Sequence, residues 1–460
     1  MTQYIAAIDL GTSHITGVVG KKNSDGTFLI SAAETMPTPG CIVRGNITNL
    51  GVTADSIVKI TDKLEAHLGD GFTINSYYVG AGGQSLQTVD YTVSKEIAAD
   101  ATVTQQDIDD LEELCRLYKI QKKNFQLIDA IKTVYYADGN KVSNPIDVSC
   151  LKLEARYKLV IGDERILPNI GKTFKDRASK EVAGVLITPL TLADAMMSDD
   201  EKKLGCALVS FGAGVTTVTV YKENVLLGIS VIPFGGNDIT NDISAVEQLT
   251  DTVSEKLKTQ NGSVLNPDIE NAQPITVEME GATPEISPND LNAIIEGRAR
   301  EIIHNVRAGI AAMIDPKALS SGIIITGGGA ELENIAQLVK EICGAKTRLS
   351  AIRSNYFNTG DDTRLGNLVY MPAISIMLKG TENCVVAPVV VEEKPVVAIE
   401  PQTSSEVVIS PHFDKKDTPK QPKWTEKKSK KEKKKPWWGM KDLFADVLDE
   451  EKEGDNEQKY

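Results

Sequence analysis

The chain has 460 residues, of which 41% are apolar and 25% charged, and a formal net charge of −14. That length implies two to four domains of an ordinary globular protein, and the acidity argues against general nucleic-acid binding, although a basic segment near the C-terminus opposes the average. The six cysteines form no C-x-x-C pair and the four histidines are dispersed, which leaves no visible zinc site and suits thiols in a reducing compartment.

The N-terminus enters "QYIAAIDLG" without a basic flank or cleavage motif, so it predicts a strand and not a signal peptide. No window approaches the roughly 18 apolar residues of a membrane-spanning helix, and a cytosolic protein is expected. "YIAAIDLGTSHITGVVG" reads as strand, glycine turn, strand, and "TFLISAAETM" adds a third strand after a polar turn. "DSIVKITDKLEAHLG" has Ile57, Ile60, Leu64 and Leu68 at helical spacing. "SYYVGAGG" is a strand ending in glycines. From about 84 to 160 the texture changes: "LQTVDYTVSKEI" alternates, "TQQDIDDLEELCRLYKI" is helical with Thr104 as its N-cap, and "CLKLEARYKLVIG" alternates again. A β-α-β-β unit inserted between two α/β stretches is expected there. "KLGCALVSFGAGVTTVTVYKENVLLGISVIPFGG" then repeats the opening meander roughly 200 residues on, the mark of an internal duplication. "SGIIITGGGAELENIAQLV" predicts strand, triple-glycine turn and helix. After about residue 380 the chain becomes rich in Pro, Glu, Lys and Val without a period, and reads as a disordered linker.

Three glycine turns carry the candidate chemistry. In the first, Asp9 stands at a strand end before Gly11, Thr12 and Ser13. Backbone N–H groups of such a turn can bind phosphate oxygens, and the acid can hold a magnesium ion through water. The second comprises Gly212, Ala213, Gly214 and Val215; the third, Gly327, Gly328 and Gly329, would let a flat ligand approach the backbone. Each alone also suits a plain turn. Two phosphate-type turns followed by strand-GGG-helix, across duplicated halves, form the pattern of the actin/Hsp70/sugar-kinase ATPase fold.

The chain resembles the bacterial cell-division protein FtsA family over about residues 4–380 and at the extreme C-terminus. "AAIDLGTSHITGVVG", "TPGCIVRGNITNL", "YVGAGGQSLQTVD", "YYADGNKVSNPIDVSCLKLEARYKLV", "VIPFGGNDITNDI" and "GIIITGGGAELENI" carry the likeness. The resemblance implies an α/β, actin/Hsp70-type duplicated ATPase fold with an inserted 1C (SHS2-type) subdomain. It divides the chain into subdomain 1A at 1–83 and 161–203, 1C at 84–160, 2A at 204–240 and 301–380, and 2B at 241–300. The linker at 381–435 and an amphipathic helix at 436–452 follow. ATP with Mg is the implied ligand, with Glu255 and Lys258 of "SEKLKTQNGS" on the ribose side. Implied partners are FtsZ, bound near 2B, further copies of the chain in head-to-tail filaments, other division proteins and anionic membrane lipid, at the cytoplasmic face of the cell membrane at the division site. The sequence departs from the family where an acid is expected: Ser210 ends the second phosphate strand and Thr217 follows. A serine brings no charge to position magnesium or water, so nucleotide binding with weak or absent hydrolysis is expected. A pilus-assembly-type adaptor, a small-molecule kinase and an Hsp70-like chaperone share the superfamily and remain as rivals.

All three tryptophans lie in the tail, at Trp424, Trp437 and Trp438. From Pro436, residues Trp437, Met440, Phe444, Val447 and Leu448 follow helical spacing, and Trp438 and Leu443 widen the stripe. Tryptophan suits the headgroup boundary. The flanking "KKSKKEKKK" offers anionic lipid on the order of 1 kcal/mol per lysine near the surface. The same helix docking on its own core, a disordered tail, and a lysine run serving as solvated spacer or nucleic-acid contact are the alternatives.

Overall fold

The computed structural model describes residues 3–388 apart from 39, 266–272, 279–282, 351–356 and 359–362. β1 (Gln3–Leu10), β2 (His14–Lys22) and β3 (Phe28–Pro37) form an antiparallel meander. Ile5, Ala6, Ala7 and Ile8 are all fully buried. β1 is thus covered on both faces, which is why its sequence is an unbroken apolar run rather than an alternation. α1 (Leu50–Leu68) starts where the Asn49 side chain accepts from the Val52 N–H, and it buries Ile57, Ile60 and Leu64. It leads back to β4 (Ser76–Ala81), which lies parallel to β1.

The chain then leaves the sheet. β5 (Gln87–Glu96), α2 (Gln105–Arg116), β6 (Phe125–Ala137) and β7 (Lys152–Asp163) make a separate unit. Its sheet runs β6-β7-β5, extended on the β6 side by Asn140–Val142. Thr104 caps α2 in a reciprocal box with Asp107, which holds the helix over Val93, Leu153, Ala155 and Tyr157. β8 (Glu181–Ile187) rejoins the first sheet parallel to β4, and α3 (Thr188–Met196) follows it with Pro189 in the first turn.

The second half repeats the first. β9 (Cys206–Phe211), β10 (Thr216–Lys222) and β11 (Val225–Ile232) form another antiparallel meander. Helices α4 (Gly236–Glu247), α5 (Asp251–Asn261) and α6 (Pro288–Ala311) precede β12 (Gly322–Thr326), which is parallel to β9. α7 (Ile335–Cys343) connects to β13 (Thr347–Leu349). The strand orders β8-β4-β1-β2-β3 and β13-β12-β9-β10-β11 have the same connectivity, so the duplication read from the sequence is a duplication of fold. The first sheet gains one further strand, Phe357–Asn358, beyond β3.

Layering follows from which side chains share a core. α1 covers the outer face of the first sheet, with Ile60 and Leu64 against Gly17. α3 and α8 (Met371–Met377) cover its inner face, tied to each other by the Thr191 and Ser375 hydroxyls at 2.9 Å. The inner face of the second sheet, Leu208 and Ile324, belongs to that same core, whereas Val209, Ile323 and Ile325 pack outward under α6 and α7. The result is helix, sheet, helix pair, sheet, helices, the actin-type arrangement.

The expected linker begins later than residue 380. Thr381 and Glu382 donate backbone N–H groups to the Tyr78 hydroxyl, and Val385–Val386 pair antiparallel with Thr73–Ile74. Two β-branched residues there find an unpaired strand edge, which a composition-based reading does not register. The rest of the linker and the whole predicted helix at 436–452 lie outside the described residues.

Candidate functional site: a cleft between two glycine turns

Equivalent corners of the two sheets face each other. β1 ends at Asp9–Leu10 before Gly11, and β9 ends at Ser210–Phe211 before Gly212. Asp9 pairs with Thr16 across its hairpin, and Ser210 pairs with Thr217 across the other. Ser210 is therefore the positional twin of Asp9. The turns touch: a Cβ on Gly214 would stand 2.7 Å from the Thr12 hydroxyl, so only glycine permits this approach of the two halves. Thr12 is braced by the Thr38 hydroxyl, which donates to the Thr12 carbonyl at 2.8 Å, and Thr12 accepts from the Gly45 N–H at 3.3 Å. The Ser13 hydroxyl lies 3.1 Å from His14 Nδ1. On the opposite side, the Gly236 N–H donates to the Gly212 carbonyl (2.9 Å) and the Asn237 N–H to that of Ala213 (2.8 Å). Val215 closes its own turn by accepting from Gly212 at 3.0 Å.

Burial raises the Asp9 carboxyl to a pKa of about 6, and the Thr188 hydroxyl, which donates to it at 3.3 Å, offsets this only in part. An acid so placed gains from a cation. No group of three or more His, Cys, Asp or Glu side chains placed to hold a metal ion occurs among the described residues. An ion here would thus take most of its ligands from water and a bound phosphate, the habit of Mg²⁺, and the residues present fit that ion. On the other wall Ser210 and Thr217 supply hydroxyls only. Beside them Thr326, paired with Ser210 in the neighbouring strand, carries a buried hydroxyl with no partner.

The triple glycine differs from a plain strand-to-helix turn. A 3-10 turn, Gly328–Glu331, and a left-handed Asn334 intervene before α7. Gly327 has φ +85°, and a Cβ there would meet the Phe211 carbonyl at 2.5 Å; one on Gly329 would meet Phe211 Cβ at 2.9 Å. These two glycines are required by the protein's own packing, and Gly328 alone faces open space. Behind them a small, open apolar hollow is lined by Phe211, Ile239, Ala299, Ile302, Gly329 and Leu332.

Glu255 and Lys258 lie on α5 beside this pocket. Lys258 is buried, and its ammonium donates to the Gly236 carbonyl (2.9 Å), the Thr240 hydroxyl (2.8 Å) and Glu255 (2.6 Å). All three donors are thereby used, and burial lowers its pKa. Lys258 props the Gly235–Gly236 turn, while the half-exposed Glu255 carboxylate reaches toward the cleft. Burial lowers the pKa of His14, on the first half, and the charge of Glu255 partly restores it, so the two groups sense each other across the cleft.

Sequence reasoning missed Thr188, Thr38 and the Arg44–Gly45 corner. The signal for Thr188 was present in "LITPL", a strand running into a proline-started helix, which places a hydroxyl beside the Asp9 strand end. Arg44 reaches Asp238 of the second half at 3.8 Å. The set expected to meet a membrane, Trp437, Trp438, Met440, Leu443, Phe444, Val447 and Leu448, lies outside the described residues. Among the described residues no helix is long and apolar enough to cross a membrane.

Comparison with known proteins adds the following. The family described as "Cell division protein FtsA" matches residues 207–374, and that described as "SHS2 domain inserted in FTSA" matches residues 83–161. A cell division protein FtsA of Porphyromonas gingivalis is 30% identical, covering 84% of this chain and 80% of the relative. One from Bacillus subtilis is 26% identical over 77% of this chain and 80% of its own length. Among solved structures, a PilM-PilN type IV pilus biogenesis complex superposes with a TM-score of 0.58 at 13% identity, covering 82% of this chain and 98% of that chain, a likeness of fold.

Proposed function

Because the chain belongs to the cell division protein FtsA family, we propose that it binds ATP in the cleft, assembles with copies of itself, and tethers FtsZ filaments to the cytoplasmic face of the membrane at the division site. The cell-division role is that of the family. The observation that carries the nucleotide is the contact of Gly214 with Thr12, which brings two backbone N–H turns together beneath the third glycine turn. Phosphates would lie on Gly11–Ser13 and Gly212–Val215, and the base would lie at Gly328 beside the apolar pocket. Asp9 would hold Mg²⁺ through water, and the ion would neutralise phosphate charge. With Ser210 and Thr217 opposite, no carboxylate from the second half orients an attacking water, so binding outlasts hydrolysis.

In this reading the first sheet with α1 and α3 is subdomain 1A, the inserted unit 1C, the second sheet 2A, and the α4–α6 region 2B, which meets FtsZ; α8, expected in 2A within 301–380, is assigned to 1A instead because it packs on β1, β2, β4 and α3. The tether rests on the apolar stripe Trp437 to Leu448 beside the lysine run. A Phe or Leu contributes roughly 1.5–3 kcal/mol on full burial and less on partial insertion, so one tail binds reversibly. Filaments that present many tails at once hold more firmly by avidity. Other division proteins would then gather on the assembled surface. The test is co-sedimentation with anionic liposomes of the full chain and a version ending at Pro411, with and without ATP and FtsZ. The full chain should pellet and carry FtsZ with it; equal pelleting by the shortened version would overturn the tether.

A further inference from the structure

The inserted unit is rooted in one half of the molecule and seated on the other. Its root is tight: Gly45 and Gly83 approach so closely that a Cβ on Gly45 would stand 2.4 Å from the Gly83 Cα, and the Gln84 N–H donates to the Arg44 carbonyl at 3.0 Å. The same Gly45 donates to the Thr12 hydroxyl in the first turn. At its far side, β5, β6 and β7 pack against β11, the edge strand of the second sheet. The Ile229 N–H donates to the Thr88 hydroxyl at 3.2 Å, Gly228 leaves room for that hydroxyl, and Val160 shares a core with Leu226 and Ile229. Lys141 adds an exposed ion pair with Glu223 at 3.2 Å, a minor contribution at such exposure. A chain of contacts thus runs from Thr12 through Gly45 and Gly83 to the insert, and from Thr88 into the second half.

We propose that the inserted unit is a latch across the cleft: the two glycine turns cannot separate without lifting it from β11, so cleft opening and insert position are linked. A ligand that favours one cleft state must then shift the insert by its differential affinity, and the reverse holds equally. This rests on the cleft being the nucleotide site only for the identity of that ligand.

The test locks the seat. The ideal Cβ of Gly228 lies 3.0 Å from the Thr88 hydroxyl, which places the two Cβ atoms near disulfide range. The six native cysteines are all buried. In the full chain carrying Thr88→Cys and Gly228→Cys, hydrogen exchange at Gly11–Ser13 and Gly212–Val215 is compared before and after oxidation, without nucleotide. Release of a fluorescent ATP analogue is timed in parallel. Oxidation should form the bond and slow exchange at both turns about tenfold or more, reversibly with reductant, and slow analogue release. Failure of the bond to form, or its formation with exchange unchanged, would overturn the latch. Slowed exchange in a protein that binds no analogue would uphold the latch and overturn the nucleotide reading instead.

Discussion

Replacing Asp9 by asparagine isolates the cost of keeping a carboxyl at the mouth of the cleft. Burial raises its pKa from an ordinary 3.8 to about 6. Between those values the folded protein holds a proton that the unfolded chain has released, so stability falls as pH rises through this window, and the full cost is present above it. The shift corresponds to about 3 kcal/mol at most, and partial solvent access at the site brings the expectation to roughly 2–3 kcal/mol. Asp9→Asn keeps the shape and removes the charge. In urea denaturation at pH 8 the variant should therefore exceed the parent by roughly 2 kcal/mol, narrowing to about a third of that near pH 4.5, where the parent is largely protonated. The same variant should lose the dependence of nucleotide binding on Mg²⁺, measured by titration calorimetry with and without chelator. Equal or lower stability of the variant at pH 8 would refute the reasoning, because it would mean that the carboxylate is already compensated in the ligand-free protein.

Gly45→Ala should be strongly destabilising, by about 3 kcal/mol or more, since the residue has φ +79° and its Cβ would collide with the backbone of Gly83; the urea midpoint reports this. Lys258→Met should cost about 1–3 kcal/mol by removing the buried ammonium from the Thr240 hydroxyl, the Glu255 carboxylate and the Gly236 carbonyl, which keeps only the Thr240 hydroxyl as a side-chain donor, and should weaken nucleotide binding through the Gly235–Gly236 turn. Ser210→Asp, which restores an acid opposite Asp9, should raise phosphate release from ATP above that of the parent in a steady-state assay. Liposome binding of the full chain should fall as salt rises from 50 to 300 mM, about where screening shortens the reach of the lysine run; salt-independent pelleting would leave the apolar stripe as the sole attachment.

Much of this architecture is legible in local patterns. The two meanders betray themselves because each strand and turn is encoded by neighbours in sequence, from the apolar run of β1 to the polar turn after Lys22. Thr104 is readable as a cap because Asp107 stands three residues on. The site was legible as glycines, since close approach leaves no other residue type, but their reasons were not. Gly327 and Gly329 answer to Phe211, more than 100 residues away, and Gly214 answers to Thr12 across the halves. The resemblance places Lys258 on the ribose side, and only the fold reveals that its three protons are already taken by Gly236, Thr240 and Glu255. Thr188 and the Arg44–Gly45 corner escaped because their partners lie on other elements, where no period reaches.

The exit of the folded body has a mechanical consequence. Cys384 donates its N–H to the Tyr4 carbonyl at 2.8 Å, and the Tyr4 N–H donates to Asn383 at 2.8 Å, so the departing chain is stitched to the first residues of β1. Tension applied beyond residue 388 would first meet the pairing of Val385–Val386 with Thr73–Ile74 and then, through Cys384 and Asn383, reach Tyr4 on the strand whose other end carries Asp9. A load borne by the C-terminus would thus be divided between the edge at Thr73–Ile74 and β1, the strand that carries Asp9 into the cleft, which makes the body a candidate strain gauge.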